Sequence, residues 1–585
     1  MKQFFVTLAG VFVGLMLFLV AVPVVLVMIA LANAKPSEPV MPSAVVLELD
    51  LRLPMTDQQP RDFVSRLNGA QSTVGVVQAL MAAEKDDRVK GLYIRAAESG
   101  LDPATAEEVR TAINEFREAG KFVITHSQGI TSPLAYMAIS SSDEIWMQAS
   151  SDLAATGMSM ETPFFRGLLD KFEIQPELMA FYEYKNAADP LLHKDYTPAH
   201  KEAATALLTS LYDTSADLAA VGRDLQPAEL KNRLQKGPLS AMDAQAAGLV
   251  DEIGYDQQAE DAALARAGDQ AELMDIAAYP HAKKMFAGRG PSIAIVGGEG
   301  LIITGSPEAV PGLPRDPEML GDEVADAIRA ATDNKDVKAI VFRVNSRGGS
   351  PVASDQIWAA VKDAQKAGKP VVVSMGPYAA SGGYYVATGA DAIVANASTI
   401  TGSIGVVGGK VAISKALANY GINMSTITVG DDFASMDTSQ PFTASQRQKM
   451  HRLLERVYND FTAKVADGRK LPPSQVEDIA KGRVYSGAQA RELGLVDSIG
   501  GLRTAINTAR RLAELPADEP VRLKRFPAER SPFEEIQNLL QSNISAQMKL
   551  AAFAGLLDSP HVKALQAQAQ TQGKATVTAP ITEIQ

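Results

Sequence analysis

Short apolar runs alternate with helical patterns along most of the chain. The clearest stretch contains four apolar runs of strand length, at residues 293–296, 339–344, 371–374 and 392–395. Between these runs, residues 320–332 and 353–367 carry apolar side chains at helical spacing. Strands that alternate with helices form a parallel sheet with crossover helices. The pattern therefore predicts an α/β fold with parallel sheets.

The same pattern occurs twice. Residues 87–95 resemble residues 335–343, with an offset of 248 positions from Lys90 to Lys338. Residues 119–123 match residues 367–371 at the same offset, and residues 248–254 match 494–500 at an offset of 246. A nearly constant offset over so long a distance indicates an internal repeat. We predict two copies of one domain, at residues 44–280 and 292–515, joined by a linker at 281–291 that contains glycine and proline.

Segments at both ends lie outside the repeats. Residues 4–32 carry no charge and are long enough to cross a bilayer as a helix. We predict a signal anchor at residues 1–35, with the rest of the chain outside the cytoplasm; cleavage after Ala34 is the alternative. Residues 516–565 are predicted to form a helical extension and residues 566–585 a disordered tail.

Composition excludes several kinds of site. The net charge of −12, without a long basic run, argues against nucleic-acid binding. The absence of cysteine excludes disulfides and thiolate chemistry. None of the six histidines occurs at a metal-binding spacing. The sequence therefore predicts neither a metal nor another cofactor.

Differences between the copies indicate where chemistry is concentrated. The second copy contains Ser381 among small residues at the start of a predicted helix, after a strand predicted to end at Ser374. The register places Pro133 of the first copy opposite Ser381, so the first copy lacks this hydroxyl. Taken alone, Ser381 would be read as a helix N-cap, which is the commonest role of a serine at the start of a helix.

A pair of glycines follows a strand in the second copy. Gly348 and Gly349 would let backbone N–H groups approach a ligand closely, because no Cβ stands in the way. Together with the N–H that follows Ser381, they could stabilise the oxyanion of a tetrahedral intermediate. The matching residues 96–100 of the first copy lack the pair. A plain turn between strand and helix is the alternative.

A serine nucleophile needs a base, and the first copy offers a lysine. Lys185 lies among aromatic and small residues, where burial could lower its pKa. The corresponding residues 429–435 of the second copy contain no lysine. An ordinary surface lysine is the alternative interpretation.

Four motifs together resemble the signal peptide peptidase A family, also called protease IV, in its long tandem form. They lie at residues 184–187, 345–350, 379–384 and 401–406. The resemblance covers residues 1–515 and implies tandem repeats of the Clp protease/crotonase type. It implies an endopeptidase that degrades hydrophobic peptides, such as cleaved signal peptides. It also implies a homo-oligomeric ring, and with the anchor it implies a single-pass protein of the inner (plasma) membrane whose catalytic domains face the periplasm.

The resemblance also implies a role for each motif. Ser381 would be the nucleophile, Lys185 the general base, and Ser403 the residue that orients the lysine. The N–H groups of Gly348 and Gly382 would form the oxyanion hole. One residue departs from the family pattern, because Arg347 stands where the family usually has proline. The alternatives are a crotonase-type acyl-CoA enzyme, which the predicted anchor disfavours, and a membrane scaffold without catalysis.

Overall fold

A computed structural model of the chain describes residues 41–59, 71–280, 290–305, 317–430, 437–516 and 522–528. The predicted anchor, most of the predicted linker and the predicted tail lie outside these ranges. Across the ranges that are described, no helix is both long and apolar enough to cross a membrane.

The first copy is built on a six-stranded sheet. Its region of the chain contains the strands β1 (Ala44–Asp50), β2 (Met55–Thr56), β3 (Gln71–Ser72), β4 (Val89–Arg95), β5 (Phe122–Ser127), β6 (Glu144–Met147), β7 (Asp152–Leu153), β8 (Gln175–Ala180), β9 (Leu239–Ser240), β10 (Glu252–Ile253) and β11 (Ala271–Asp275). The sheet order is β10-β6-β5-β4-β1-β11, and all neighbours are parallel. This arrangement confirms the predicted parallel sheet.

Helices connect the parallel strands. They are α1 (Thr73–Ala83), α2 (Pro103–Glu118), α3 (Pro133–Ile139), α4 (Arg166–Lys171), α5 (Asp189–Leu192), α6 (Pro198–Gly222), α7 (Pro227–Leu234), α8 (Ala241–Ala246) and α9 (Asp256–Ala267). Several begin at a side-chain cap, as at Ser72 and Thr197, whose hydroxyls accept backbone N–H groups of the first turn.

The second copy repeats this plan with an eight-stranded sheet. Its region contains β12 (Ser292–Glu299), β13 (Leu301–Ile303), β14 (Glu318–Leu320), β15 (Val337–Ser346), β16 (Val371–Ala380), β17 (Ala392–Ala395), β18 (Ile400–Gly402), β19 (Val407–Ala412), β20 (Val484–Ser486), β21 (Ser498–Ile499) and β22 (Arg522–Phe526). The order is β20-β18-β16-β15-β12-β22, with β17 beside β16 and β21 beside β17. Only the β18–β20 pair of this sheet is antiparallel among the described residues.

The helices of the second copy complete the repeat. They are α10 (Gly321–Asp333), α11 (Pro351–Lys366), α12 (Gly382–Tyr385), α13 (Ser414–Ala418), α14 (Ala444–Arg469), α15 (Pro473–Ile479), α16 (Gly487–Glu492) and α17 (Leu502–Leu512). The two helices and four strands predicted from the pattern in this copy are all present.

Two boundaries differ from the prediction. β16 does not end at Ser374 but continues to Ala380, because its register shifts past Pro377 and its end pairs with β18. In the stretch predicted as a helical extension, residues Arg522–Phe526 instead form β22, which pairs with β12. The apolar residues at helical spacing that carried the prediction lie later in the chain, beyond this strand. The rest of that stretch lies almost entirely outside the described residues.

The two copies share a hydrophobic core. One cluster of buried side chains contains Val45 and Leu92 of the first sheet together with Val341 and Val372 of the second. Leu502 of α17 lies in the same cluster. Each copy therefore buries apolar surface that would be exposed if the other were removed.

One strand of the first copy pairs with a strand of the second. β8 pairs with β19 in antiparallel register, from Gln175 opposite Ala412 to Ala180 opposite Val407. The residues that follow β8 are thereby placed beside the end of β18. This pairing brings the segment that contains Lys185 to the second copy.

Candidate active site

The lysine lies just beyond β8. Phe181 donates its N–H to Val406 O at 2.9 Å, and Tyr182 then reverses the chain at a φ of 70°. The rings of both residues pack on Tyr458, with centroid distances of 5.8 and 5.0 Å. This aromatic contact fixes the turn, and Lys185 follows at the start of a short 3-10 helix at Asn186–Ala188.

The serine lies at the turn between β16 and α12. Ser381 has φ 54° and ψ −118°, a conformation that L-residues adopt only at a cost in energy. Its N–H donates to Gly402 O at 2.9 Å, which ties it to the end of β18. Its side chain does not cap α12. The geometry therefore disagrees with a simple N-cap and resembles the strained turns that present nucleophiles.

Lys185 and two serines form one cluster. Lys185 Nζ lies 3.1 Å from Ser381 Oγ, 2.9 Å from Ser403 Oγ and 2.9 Å from Ser403 O. A neutral amine has two N–H donors and one lone pair. The two donors match the oxygens of Ser403, so the lone pair is left for the hydroxyl of Ser381. The contacts of Ser403 thus orient the amine towards the serine.

Burial sets the charge of the lysine. The side chain of Lys185 is only 5% exposed, so it is not the surface lysine of the alternative interpretation. Burial lowers the pKa of Lys185 to about 7, since the charged ammonium loses its hydration. A substantial fraction of neutral amine is therefore present near neutral pH. Such an amine can accept a proton from a hydroxyl.

The glycine pair packs directly against the serine. A Cβ added to Gly348 would lie 2.8 Å from Ser381 Cβ and 2.9 Å from Gly382 N. Gly348 has a φ of 111°, which favours glycine. Its own N–H donates to Ser346 Oγ at 3.1 Å. This N–H would therefore have to leave or share Ser346 Oγ before it could bind an oxyanion, a feature that the sequence did not predict.

Arg347 has an aromatic partner in the second copy. Its guanidinium lies 4.2 Å from the centroid of the Tyr378 ring, and Tyr378 donates to Asp102 Oδ1 at 3.2 Å. Asp102 precedes α2 of the first copy, so this stack links the two copies beside the glycine pair. A cation thus stands at the position where the family usually has proline.

Sequence reasoning missed one part of the site. The turn at residues 481–483 contacts both the lysine segment and Ser403 through backbone groups. Lys481 O accepts the N–H of Tyr184 at 3.2 Å, and Arg483 O accepts the N–H of Ser403 at 2.7 Å. Backbone contacts leave little trace in sequence. The difference between the copies gives a signal, because the Lys-Gly pair at 481–482 matches the pair at 236–237 at an offset of 245, which places Arg483 opposite Pro238.

Comparisons with known proteins agree with the repeat. The model of Peptidase family S49 matches residues 115–271 and again residues 363–516. Protease 4 of Salmonella typhi is 30% identical over 556 residues, which cover 91% of this chain and 88% of the relative. Serine protease SPPA, chloroplastic, of Arabidopsis thaliana is 27% identical over 88% of this chain and 75% of the relative.

Among solved structures, a ClpP1 mutant from Listeria monocytogenes is 15% identical and covers 36% of this chain and 94% of its own, with a TM-score of 0.24. That score is too low to carry an argument about this fold. The family matches are sufficient by themselves, because they include two copies of the domain and relatives of nearly full length. The resemblance found in the four motifs is confirmed, and the chain belongs to peptidase family S49, the family of the serine proteases Protease 4 and SPPA.

Proposed function

We propose that the chain is a membrane-anchored serine endopeptidase that uses a Ser–Lys dyad. In this proposal Ser381 is the nucleophile, Lys185 the general base and Ser403 the group that orients the base. The observation that carries it is the 3.1 Å distance between Lys185 Nζ and Ser381 Oγ, with the lysine buried. A buried amine beside a hydroxyl, held by two further oxygens, has few structural uses besides proton transfer.

Acylation follows from this arrangement. Neutral Lys185 takes the proton of Ser381 as Oγ attacks the scissile carbonyl. The resulting ammonium is stabilised by Ser403 O and Oγ, both 2.9 Å away. The oxyanion accepts the N–H of Gly382 and, once it leaves or shares Ser346 Oγ, the N–H of Gly348. Lys185 then returns its proton to the leaving amine, which departs and leaves an acyl ester on Ser381.

Deacylation uses the same groups in reverse. Once the amine has left, Lys185 is neutral again and can take a proton from a water molecule. That water attacks the ester carbonyl, and the proton returns through Lys185 to Ser381 Oγ as the carboxylic acid product forms; the acid then loses its own proton to solvent. Because one group supplies and removes the proton in both steps, its pKa must lie near the working pH. The pKa of about 7 for Lys185 meets this requirement.

Hydrophobic peptides, including cleaved signal peptides, are the proposed substrates. An apolar substrate that covers Lys185 would exclude water and favour the neutral amine. The charge-free segment 4–32 would hold the enzyme in the inner membrane, with both copies on the periplasmic side. We also propose that the protein works as a homo-oligomeric ring. Carbonate washing tests the anchor, because a cleaved chain beginning at Lys35 would be released from the membrane.

Digestion of a hydrophobic fluorogenic peptide tests the activity. Wild type should cleave it and Ser381→Ala should not, and the circular dichroism of the variant should match that of wild type because only one hydroxyl is lost. A fluorophosphonate probe should label wild type but not Ser381→Ala. Equal labelling of both proteins, or full activity of the folded variant, excludes Ser381 as nucleophile. Absence of any peptidase activity together with binding of acyl-CoA would favour the crotonase-type alternative.

A further inference from the structure

The turn formed by Lys481, Gly482 and Arg483 lies between the two sides of the proposed dyad. It follows α15 and leads into β20. On one side Lys481 O accepts the N–H of Tyr184, the residue before the lysine. On the other side Arg483 O accepts the N–H of Ser403, and Gly482 donates to Ile404 O at 2.9 Å. The residue before the proposed base and the residue that orients the base are therefore both bonded to this turn.

Gly482 packs against the lysine itself. Its φ is +83°, and a Cβ added there would lie 2.5 Å from Lys185 Cβ and 2.6 Å from Lys185 N. A Cβ on Gly405 would lie 2.8 Å from Gly482 Cα and 3.3 Å from Lys185 Cδ. The backbones of the two glycines thus pack closely on the lysine side chain and on each other. Close packing of this kind removes water from the amine.

An ion pair fastens the turn to the lysine segment. Arg483 Nη1 donates to Glu202 Oε1 at 2.7 Å, and Tyr184 Oη donates to Glu202 Oε2 at 2.9 Å. The guanidinium also lies 5.0 Å from the centroid of the Tyr184 ring. One carboxylate from α6 therefore holds both the turn and the residue that precedes Lys185.

The repeat supports a link between this arginine and catalysis. In the first copy the matching turn contains Lys236, Gly237 and Pro238, with proline in place of arginine. That copy also lacks the serine nucleophile, since Pro133 corresponds to Ser381. The arginine is thus present only in the copy that supplies Ser381 and Ser403.

We propose that Gly482 and Arg483 are positioning residues, which hold Lys185 against Ser403 and keep water from its amine. The inference rests on the proposed Ser–Lys function. Neither residue touches the reacting atoms; both act through Lys185 and Ser403. Arg483 keeps the turn beside Tyr184, because both residues donate to Glu202. Gly482 lets the backbone of Lys185 approach closely, because it has no Cβ.

Loosening the turn has a specific consequence for pH dependence. Burial alone lowers the pKa of Lys185. Charged or titratable side chains on the surrounding elements include Tyr182, Glu183, Tyr184, Asp189, Glu202, Tyr458, Lys481, Arg483 and Tyr485, and no charge among them contributes to that shift. Water admitted by a loose turn should therefore raise the pKa of the lysine towards its usual value. Activity near neutral pH falls, while activity at high pH is largely retained.

The experiment is the pH profile of kcat and KM between about pH 6 and pH 11, with a fluorogenic hydrophobic peptide. The variants are Arg483→Gln, Arg483→Lys and Glu202→Gln. Arg469→Gln is the matched control, because the Arg469 guanidinium also donates to a carboxylate, that of Asp497, and in addition to Gly494 O, but away from the cluster of Lys185. Arg483→Gln should move the rising limb of kcat upward by about one pH unit, tenfold at neutral pH, with KM little changed.

Arg483→Lys keeps the charge, so its rising limb of kcat should lie between those of wild type and Arg483→Gln. Glu202→Gln should move the limb in the same direction as Arg483→Gln. Arg469→Gln should lower the melting temperature and leave the limb in place. Glu202 is an exposed side chain, so its variant serves if Arg483→Gln does not fold. If the rising limb of kcat stays at its wild-type pH in the folded Arg483 and Glu202 variants, the inference is overturned. If wild type itself shows no rising limb, or Lys185→Ala retains it, the proposed dyad fails instead.

Discussion

Arg343 of the second copy and Asp57 of the first form an ion pair in which both side chains are buried. Arg343 Nη2 lies 2.5 Å from Asp57 Oδ1 and 2.8 Å from Glu108 Oε2. The arginine also donates to Ser374 Oγ at 2.9 Å. One arginine of the second copy thus binds two carboxylates of the first, and it lies on the strand that leads to the glycine pair.

The pair makes a prediction about stability. Arg343→Met should lower the free energy of unfolding by about 3–5 kcal/mol, because it leaves buried carboxylates without a cation. Burial already raises the pKa of Asp57, with Arg343 opposing the rise. Without Arg343 the folded state should bind a proton that the unfolded state lacks, so the loss of stability should be smaller at acidic pH than at alkaline pH.

Urea unfolding at several pH values measures both effects. Arg329→Ala is the control, because Arg329 forms an exposed pair with Asp326 within one helix, and its removal should cost less than about 1 kcal/mol. A loss for Arg343→Met no larger than for the control, or one that does not depend on pH, would contradict a role for this pair in holding the copies together.

The glycine pair makes a prediction about activity. A Cβ on Gly349 would lie 2.1 Å from Ile302 O and 2.7 Å from Ile302 N, at a φ of +153°. These atoms hold the loop, since Ile302 N donates to Gly348 O and Ser350 N donates to Ile302 O. Gly349→Ala should displace the loop and reduce kcat by about 10²–10³-fold, the effect of losing an oxyanion donor.

Gly368→Ala is the matched control for this variant. Gly368 also has a positive φ, +79°, but nothing lies within 4 Å of an added Cβ. Its substitution should cost about 1–2 kcal/mol of stability through backbone strain alone and leave kcat unchanged. Peptidase assays on both folded variants give the comparison. Equal kcat for the two proteins would show that the loop does not contribute to catalysis.

Lys185 itself should make stability depend on pH. The pKa of Lys185 in the folded state is about 7, below its ordinary value of 10.5. Between these values the unfolded state binds a proton that the folded state lacks, so stability increases as pH rises. Below pH 7 both states are protonated and the penalty is at its largest. Lys185→Met removes this dependence.

The measurement is the difference in unfolding free energy between wild type and Lys185→Met. It should shift in favour of wild type by up to about 1.4 kcal/mol for each pH unit between pH 7 and pH 10. Below pH 7 the difference should be constant. Stability curves that run parallel across the whole range would mean that the lysine keeps an ordinary pKa.

Much of the fold could be predicted from the sequence, because the same pattern of apolar positions occurs twice along the chain. Periodic apolar runs gave the strands and helices, and the comparison of the copies brought forward Ser381 opposite Pro133. The continuation of β16 to Ala380 was not predictable, because Gly376 and Pro377 interrupt the apolar run that marks a strand. That pairing depends on β18, which is distant in sequence.

Side-chain candidates were easier to find than backbone ones. Lys185 stood out by residue type and Ser403 through the family resemblance, and the fold places Lys185 Nζ 3.1 Å from Ser381 Oγ and 2.9 Å from Ser403 Oγ. The turn at residues 481–483 acts through carbonyl oxygens that every residue possesses. The bond from Gly348 N to Ser346 Oγ likewise depends on a φ that no composition reveals.

The substitution Lys185→Arg separates a general base from a structural cation. Arginine keeps the charge and the approximate length, but its pKa above about 12 leaves it protonated under every practical condition. A base that must be neutral therefore cannot be replaced by it, and Lys185→Arg should be as inactive as Lys185→Ala. Wild-type activity should rise with pH through about 7, because the neutral amine of Lys185 increases there.

A structural role predicts the reverse, with arginine restoring most of the activity that alanine loses. The two models differ most at alkaline pH, where wild-type lysine is fully neutral and arginine is still charged. The assay is peptide cleavage by the three folded proteins at about pH 9. Activity of Lys185→Arg within about tenfold of wild type, a change of only ~1.4 kcal/mol in the barrier, would rule out the dyad. Another base within reach of Ser381 Oγ would then have to activate the serine.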